Sequence, residues 1–152
     1  MLTNKTTYET LEKVILIGQE NGYFSVSEDR STIAYRASGK SYGFKSEKEK
    51  IRAYFLVELI DKYGFLENEV KMDVELKNNK EPFDMVVYRK HTPYIVIDVF
   101  EKELKLAVRA KETLLKKASG LSASYAIVVA KNGKAVFDLK NNNRGIQDIP
   151  LF

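Results

Sequence analysis

The sequence predicts an α/β domain built around a mixed sheet, preceded by an N-terminal helix and hairpin. Three observations carry that reading. Val70–Lys77 alternates, with Val70, Met72, Val74 and Leu76 on one face and Lys71, Asp73, Glu75 and Lys77 on the other, as in a half-exposed strand. Phe83–Tyr88 and Tyr94–Asp98 are apolar on both faces, as in central strands covered from both sides. Between these runs and a last pair of strands lies a helical stripe of Leu104, Ala107, Val108, Leu114, Leu115 and Ala118.

In chain order, Thr6-x-x-Glu9 predicts a capping box opening a helix from about Thr7 to Glu20, stopped by Asn21-Gly22. Tyr23–Ser27 and Thr32–Arg36 form a short hairpin around Glu28-Asp29-Arg30, and Ser38–Phe44, with two glycines, is a loop or linker. Residues 1–45 make up this extension, and 46–152 the main domain. There, Ser46–Tyr63 is a helix closed by Gly64. The strand at Val70 and the two apolar runs follow, joined by the turn Arg89–Pro93. A helix from Glu103 to about Ala118 ends at Gly120. Tyr125–Ala130 and Ala135–Leu139 pair across Asn132-Gly133, a two-residue hairpin signal. An Asn-rich tract, Asn141–Asn143, precedes the tail. The order of the main domain is helix, three strands, helix, two strands.

The chain has 152 residues, enough for one domain with a real core. It has no apolar run of membrane-spanning length and no signal-peptide layout. With no cysteine, disulfides and thiolate metal sites are excluded, which suits a cytoplasmic protein. The single histidine, His91, sits in a turn beside Pro93, which argues against a Ser-His-Asp triad or a zinc site. The net charge of +4 is unevenly spread: from Lys102 to Lys140 there are 9 basic residues against 3 acidic ones. Such an excess suits either a phosphate backbone or a lysine-rich solubilising surface.

Asp84 and Asp98 carry the functional lead. A hairpin centred on His91 sets 84 opposite 98, 86 opposite 96 and 88 opposite 94. At roughly 5 Å and an effective dielectric near 20, two such carboxylates repel by about 3 kcal/mol. A divalent cation between them is the simplest compensation. The alternative has Asp84 capping a strand start and Asp98 pairing with Lys102 or Arg52.

These residues and their order resemble the PD-(D/E)XK, restriction-endonuclease-like nucleases, and more narrowly the N-terminal domain of type I restriction enzyme R subunits. The resemblance rests on Glu49-Lys-Ile-Arg52, Tyr63-Gly64-Phe65, Pro82-Phe83-Asp84, Ile95-Val-Ile-Asp98-Val-Phe100, and Ala118, Leu121, Ala123 and Tyr125-Ala126 leading to Asn132-Gly133. It spans about Glu47 to Leu139, roughly three fifths of the chain. It implies a restriction-endonuclease-like core and Mg²⁺ (or Mn²⁺) held by Asp84 and Asp98. The implied activity is phosphodiester hydrolysis in DNA. It implies DNA as partner, leaves room for a homodimer and for restriction–modification subunits, and involves no membrane.

The family's lysine, two residues after the second acid, falls on Phe100, which can neither donate a proton nor stabilise an oxyanion. A glutamine common on the next helix falls near Thr113. Either the basic role has moved or the fold no longer cuts and instead binds DNA or a protein partner. Lys102 shares the parity of 98 and 100 if the strand continues; otherwise it is a solvated helix start. Lys111 interrupts the apolar stripe and is a relocated base or a snorkelling side chain. Glu49 and Arg52, three apart, fall inside the apolar arc of their helix. They read as a helix-borne acid reaching the metal with its orienting arginine, or as an internal ion pair. Asp73 matches an acidic position of the family but lies on a polar face. Lys105, Arg109, Lys116, Lys117, Lys131 and Lys134 are the expected DNA contacts.

Overall fold

The computed structural model describes residues 4–76 and 81–150. The chain divides into two compact units, residues 1–68 and 69–152.

In the first unit, helix α1 (Asn4–Glu20) is followed by β1 (Phe24–Val26), β2 (Thr32–Tyr35), β3 (Ser41–Gly43) and helix α2 (Glu47–Asp61). Because α1 already begins at Asn4, Thr6 lies within the helix and is not its cap. The three strands form an antiparallel sheet in the order β1-β2-β3. The expected loop at 38–44 therefore contains a third strand. Gly39, with φ +69°, makes the reversal that lets Ser41–Gly43 pair back onto β2. Asp29 organises the preceding turn, accepting hydrogen bonds from the Ser27 and Ser31 hydroxyls at 2.8 and 2.7 Å.

Helix α1 packs on α2 at Gly18, where an added Cβ would come within 2.5 Å of Val57 Cγ2 and 2.6 Å of the Phe24 ring. Ser46 caps α2 by accepting the Glu49 N–H at 3.1 Å, and Glu47 and Glu49 lie in its first turn, where carboxylates favour the helix dipole. The helix closes as expected. Gly64, at φ +78°, lets Phe65 N–H reach Leu59 O at 3.0 Å.

Among the described residues the second unit is a six-stranded mixed sheet with one α-helix. It comprises β4 (Val70–Val74), β5 (Phe83–Arg89), β6 (Thr92–Phe100), α3 (Val108–Ala118), β7 (Tyr125–Ala130), β8 (Gly133–Asp138) and β9 (Arg144–Ile146), ordered in the sheet as in the chain. Every neighbouring pair is antiparallel except β6 and β7, which are parallel and joined by the crossover through α3. Residues of both parities are buried on the central strands, Val86 and Val96 as well as Met85, Ile95 and Ile97. The α/β class and the mixed sheet thus agree with the sequence.

Several details differ. The β5–β6 turn is two residues, Lys90 and His91, both at positive φ (+52° and +64°). That geometry matches the twist of paired strands. It pairs Arg89 with Thr92 and Tyr88 with Pro93, and a bulge after Val87 restores the expected register of 87 with 95, 86 with 96 and 85 with 97. Tyr88 is therefore not opposite Tyr94; Tyr94 is the extra residue of the bulge, stacked under the Arg89 guanidinium at 4.0 Å. Strand β4 ends at Val74, and Lys77 lies outside the described residues. The expected helix from Glu103 is a 3-10 turn, Leu104–Leu106, broken at Ala107 before α3 starts. Leu104 is held at that turn by the Asn132 side-chain oxygen, which accepts its N–H at 2.9 Å. The β7–β8 pairing of Ala130 with Gly133 makes Lys131-Asn132 the turn, one residue earlier than expected.

Between α3 and the sheet lies a core of Phe83, Val86, Val96, Ala107, Leu114, Ala118, Ala123, Ala126 and Val128. Burying a side chain such as Leu114 stabilises by about 1.5–3 kcal/mol.

Candidate active site

Asp84 follows Phe83 at the start of β5, and Asp98 lies two residues from the end of β6. Asp98 shares strand parity with Val96 and reaches α3 through Lys117, so it belongs to the sheet face that α3 covers, and Asp84 falls across from it on β5. Past the Met85–Ile97 pair, side chains take over from the backbone ladder. Asp84 N–H donates to Asp98 Oδ1 at 3.2 Å, and Val99 N–H donates to Asp84 Oδ2 at 2.7 Å. Each carboxylate thus accepts an N–H from the neighbouring strand, and Asp84 lies near enough to Asp98 to act on it electrostatically.

The positive side chain at this point is Lys117. Its Nζ lies 2.7 Å from Asp98 Oδ2, donates to Pro82 O at 3.2 Å, and sits 4.7 Å from the centre of the Phe83 ring. The two paired side chains are 10% and 15% exposed, so this ion pair is screened far less than a surface one. Burial raises the Asp98 pKa above the usual carboxylate range; the Lys117 hydrogen bond and charge oppose the shift, and nearby Asp84 adds to it.

Sequence reasoning had placed Lys117 among the DNA contacts. A signal for its inward role was present. Lys111 and Lys117 are three residues before and after Leu114, so each lies about 60° from that buried leucine, on opposite sides. Helical projection does not choose between them. The register of α3 on the sheet brings Lys117 to the acids, while Lys111 remains half-buried. Lys102 is exposed and lies beyond β6, which ends at Phe100, so the parity that would carry it to the Asp98 face is lost. Phe100 packs against the apolar cluster under α3.

Asp73 falls across from Asp84, between the paired Met72–Met85 and Val74–Phe83 positions. Its φ of +55° interrupts the ladder there, and the residue is exposed. Among the described residues no group of three His, Cys, Asp or Glu is arranged to hold a metal ion.

Glu49 lies in the first unit within a closed network. Arg52 donates to it from Nε at 3.0 Å and Nη2 at 2.9 Å, and the Tyr35 hydroxyl donates at 2.7 Å. The Arg52 guanidinium stacks on Tyr42 at 4.4 Å. Burial, then the Glu49 charge, pushes the Tyr35 pKa far above its usual value.

Of the expected DNA contacts, Lys105, Arg109 and Lys116 are exposed, and the spacing of 109 and 116 puts them on one face of α3. Lys105 pairs with Glu103 at 3.4 Å, Lys134 pairs with Asp148 at 3.4 Å, and Lys131 is half-buried in its turn.

Residues 47–151 match the family described as type I restriction enzyme R protein N terminus. The chain belongs to that family. None of the curated proteins searched matches it. The family match covers about two thirds of the chain and includes α2, the whole six-stranded sheet, Asp84, Asp98 and Lys117. It relates the chain to restriction enzymes. Among the described residues no helix is long and apolar enough to cross a membrane.

Proposed function

We propose that this chain carries a restriction-endonuclease-like fold that hydrolyses DNA phosphodiesters with Mg²⁺, Asp84 and Asp98 of the second unit being its ligands. The observation that carries this reading is the placing of two aspartates side by side on adjacent strands, with Asp84 N–H on Asp98 Oδ1 at 3.2 Å and Val99 N–H on Asp84 Oδ2 at 2.7 Å. Their hard oxygens fit Mg²⁺, which commonly takes one or two carboxylates and completes its shell with water and phosphate oxygens. When bound, the ion would lower the pKa of a water and neutralise charge on the phosphate.

The chain's own residues supply the rest. Backbone N–H groups of Asp84 and Val99 fix the two carboxylates, so their geometry is set before any ligand arrives. In the metal-free chain Lys117 supplies the positive charge beside Asp98 that Phe100 cannot. Lys102 and Lys111 are the weaker claimants, one beyond the strand and one across the stripe. Lys105, Arg109 and Lys116 offer an exposed basic surface to the phosphate backbone.

A second reading has a specific observation behind it. Phe100 is built into the apolar cluster, and Asp98 is already neutralised by Lys117, as in a nuclease fold that binds DNA or a protein partner without cutting. Plasmid nicking with Mg²⁺ or Mn²⁺ separates the two. Cutting by the wild type, abolished by Asp84→Ala and by Asp98→Ala, supports the nuclease. An inert wild type whose Phe100→Lys variant gains activity supports the silent relative.

A further inference from the structure

The acid pair already holds a cation belonging to the chain. Lys117 Nζ is 2.7 Å from Asp98 Oδ2, the oxygen not used by Asp84 N–H. A divalent ion on that same oxygen would lie about 2.1 Å from it. Metal and ammonium could then be no more than roughly 5 Å apart, a doubly and a singly charged cation in a half-buried site. Both do not occupy that carboxylate oxygen at once without strong repulsion.

We propose that Lys117 is the resident counter-ion of the acid pair, and that a divalent cation binds there only by displacing its ammonium from Asp98. The proposal rests on the reading of Asp84 and Asp98 as metal ligands. Displacement does not strand the lysine, because Pro82 O at 3.2 Å and the Phe83 ring at 4.7 Å remain as partners. The arrangement keeps the two acids together in the metal-free protein and makes the site weaker for metal than two bare carboxylates would be.

Mn²⁺ affinity, measured by calorimetry on the full chain, tests this without reference to cleavage. Lys117→Met is expected to bind Mn²⁺ about tenfold more tightly than wild type, the fold-change equivalent to one charge-assisted hydrogen bond. Lys117→Arg should stay within about threefold of wild type, since it keeps the charge, and Asp98→Asn should lose binding. Equal or weaker binding by Lys117→Met, with Asp98→Asn still abolishing it, overturns the proposal and leaves the metal reading intact. Absence of Mn²⁺ uptake by both wild type and Lys117→Met overturns the metal reading, and the proposal falls with it. Uptake by Lys117→Met alone supports a site masked by its lysine. Should Lys117→Met not fold, acylation of wild-type lysines decides, read by peptide mass spectrometry. Lys117 is expected to acylate several-fold faster with Mn²⁺ while Lys116 is unchanged; an unchanged or slower rate at Lys117 overturns the proposal.

Discussion

Replacing Arg52 by alanine isolates a buried ion pair of the first unit and decides what Glu49 is for. Arg52 is 5% and Glu49 8% exposed, and the guanidinium meets the carboxylate through two hydrogen bonds of 3.0 and 2.9 Å. Removing one member of such a pair leaves the other charge buried and uncompensated, which costs about 3–5 kcal/mol. Arg52→Ala also loses the guanidinium stacked on Tyr42. The double variant Glu49→Leu/Arg52→Met removes both charges and keeps the volume but leaves the buried Tyr35 hydroxyl without its acceptor, so it should lie about 1–3 kcal/mol below wild type. Urea unfolding of the two singles and the double gives the coupling directly. A loss below about 1 kcal/mol in Arg52→Ala would refute the reasoning, as would a double variant no better than the sum of its parts. A catalytic Glu49 makes a different prediction, in which Glu49→Gln abolishes nicking with stability intact. The network also sets an alkaline limit. Because burial and Glu49 raise the Tyr35 pKa in the folded state, its contribution is complete below the unfolded tyrosine value, near 10, and is lost as pH climbs through the higher folded value.

Asp29 is expected to act at the opposite end of the pH scale. Hydrogen bonds from Ser31 and Ser27 lower its pKa, so the stability it gives the β1–β2 turn is present above the unfolded value and disappears as pH falls through the folded one; Asp29→Ala should lose less thermal stability than wild type as pH falls below the ordinary aspartate value, and an unchanged profile would contradict this. Lys90→Asn/His91→Gly places residues suited to positive φ in a turn that requires it, and should raise the urea midpoint by an amount worth about 0.5–1 kcal/mol; a fall would mean the turn is not as described. DNA affinity should decline steeply with salt, and Lys116→Glu and Arg109→Glu should each weaken binding and lessen the salt slope by about one, checked by fluorescence anisotropy over a salt series. Salt-insensitive binding would leave a protein partner as the occupant of that surface.

The two central strands were legible because their runs are apolar on both faces, and the register of 85 with 97, 86 with 96 and 87 with 95 matches the hairpin reading because the bulge offsets the shorter turn. What escaped the sequence was set by backbone geometry or by long-range register. The bulge at Tyr94 follows from a turn in which a lysine and a histidine adopt φ values usually left to glycine and asparagine. Strand β9 follows from a similar turn, where Asn142 and Asn143 have φ +59° and +57° and Arg144 pairs with Asp138. There the Asn-Asn pair was a visible hint of a hairpin. Strand β3 is only three residues long, too short for alternation to register. Lys117 was missed because helix periodicity places it and Lys111 symmetrically about Leu114, and only the docking of α3 on the sheet breaks that symmetry.

Asp84 and Asp98 stand where β5 and β6 stop bonding to each other through their backbones, and that location bears on both functional readings. At such a divergence buried N–H groups would otherwise go unpaired, at a cost of about 1–3 kcal/mol each. The carboxylates answer this by accepting the N–H groups of Asp84 and Val99. Each acid is thus held by a donor on the neighbouring strand, and together they present a concentrated negative charge that Lys117 offsets. Replacing either aspartate by asparagine keeps an acceptor for those N–H groups but halves the charge of the pair. Alanine removes both functions. If the pair exists only to close the strands, Asp84→Asn should fold as well as wild type and Asp84→Ala should lose about 1–3 kcal/mol, with metal affecting neither. If it exists to hold a cation, Mn²⁺ should raise the unfolding temperature of wild type and leave that of Asp84→Asn unchanged. The asparagine variant therefore separates charge from shape, which the alanine variant cannot do.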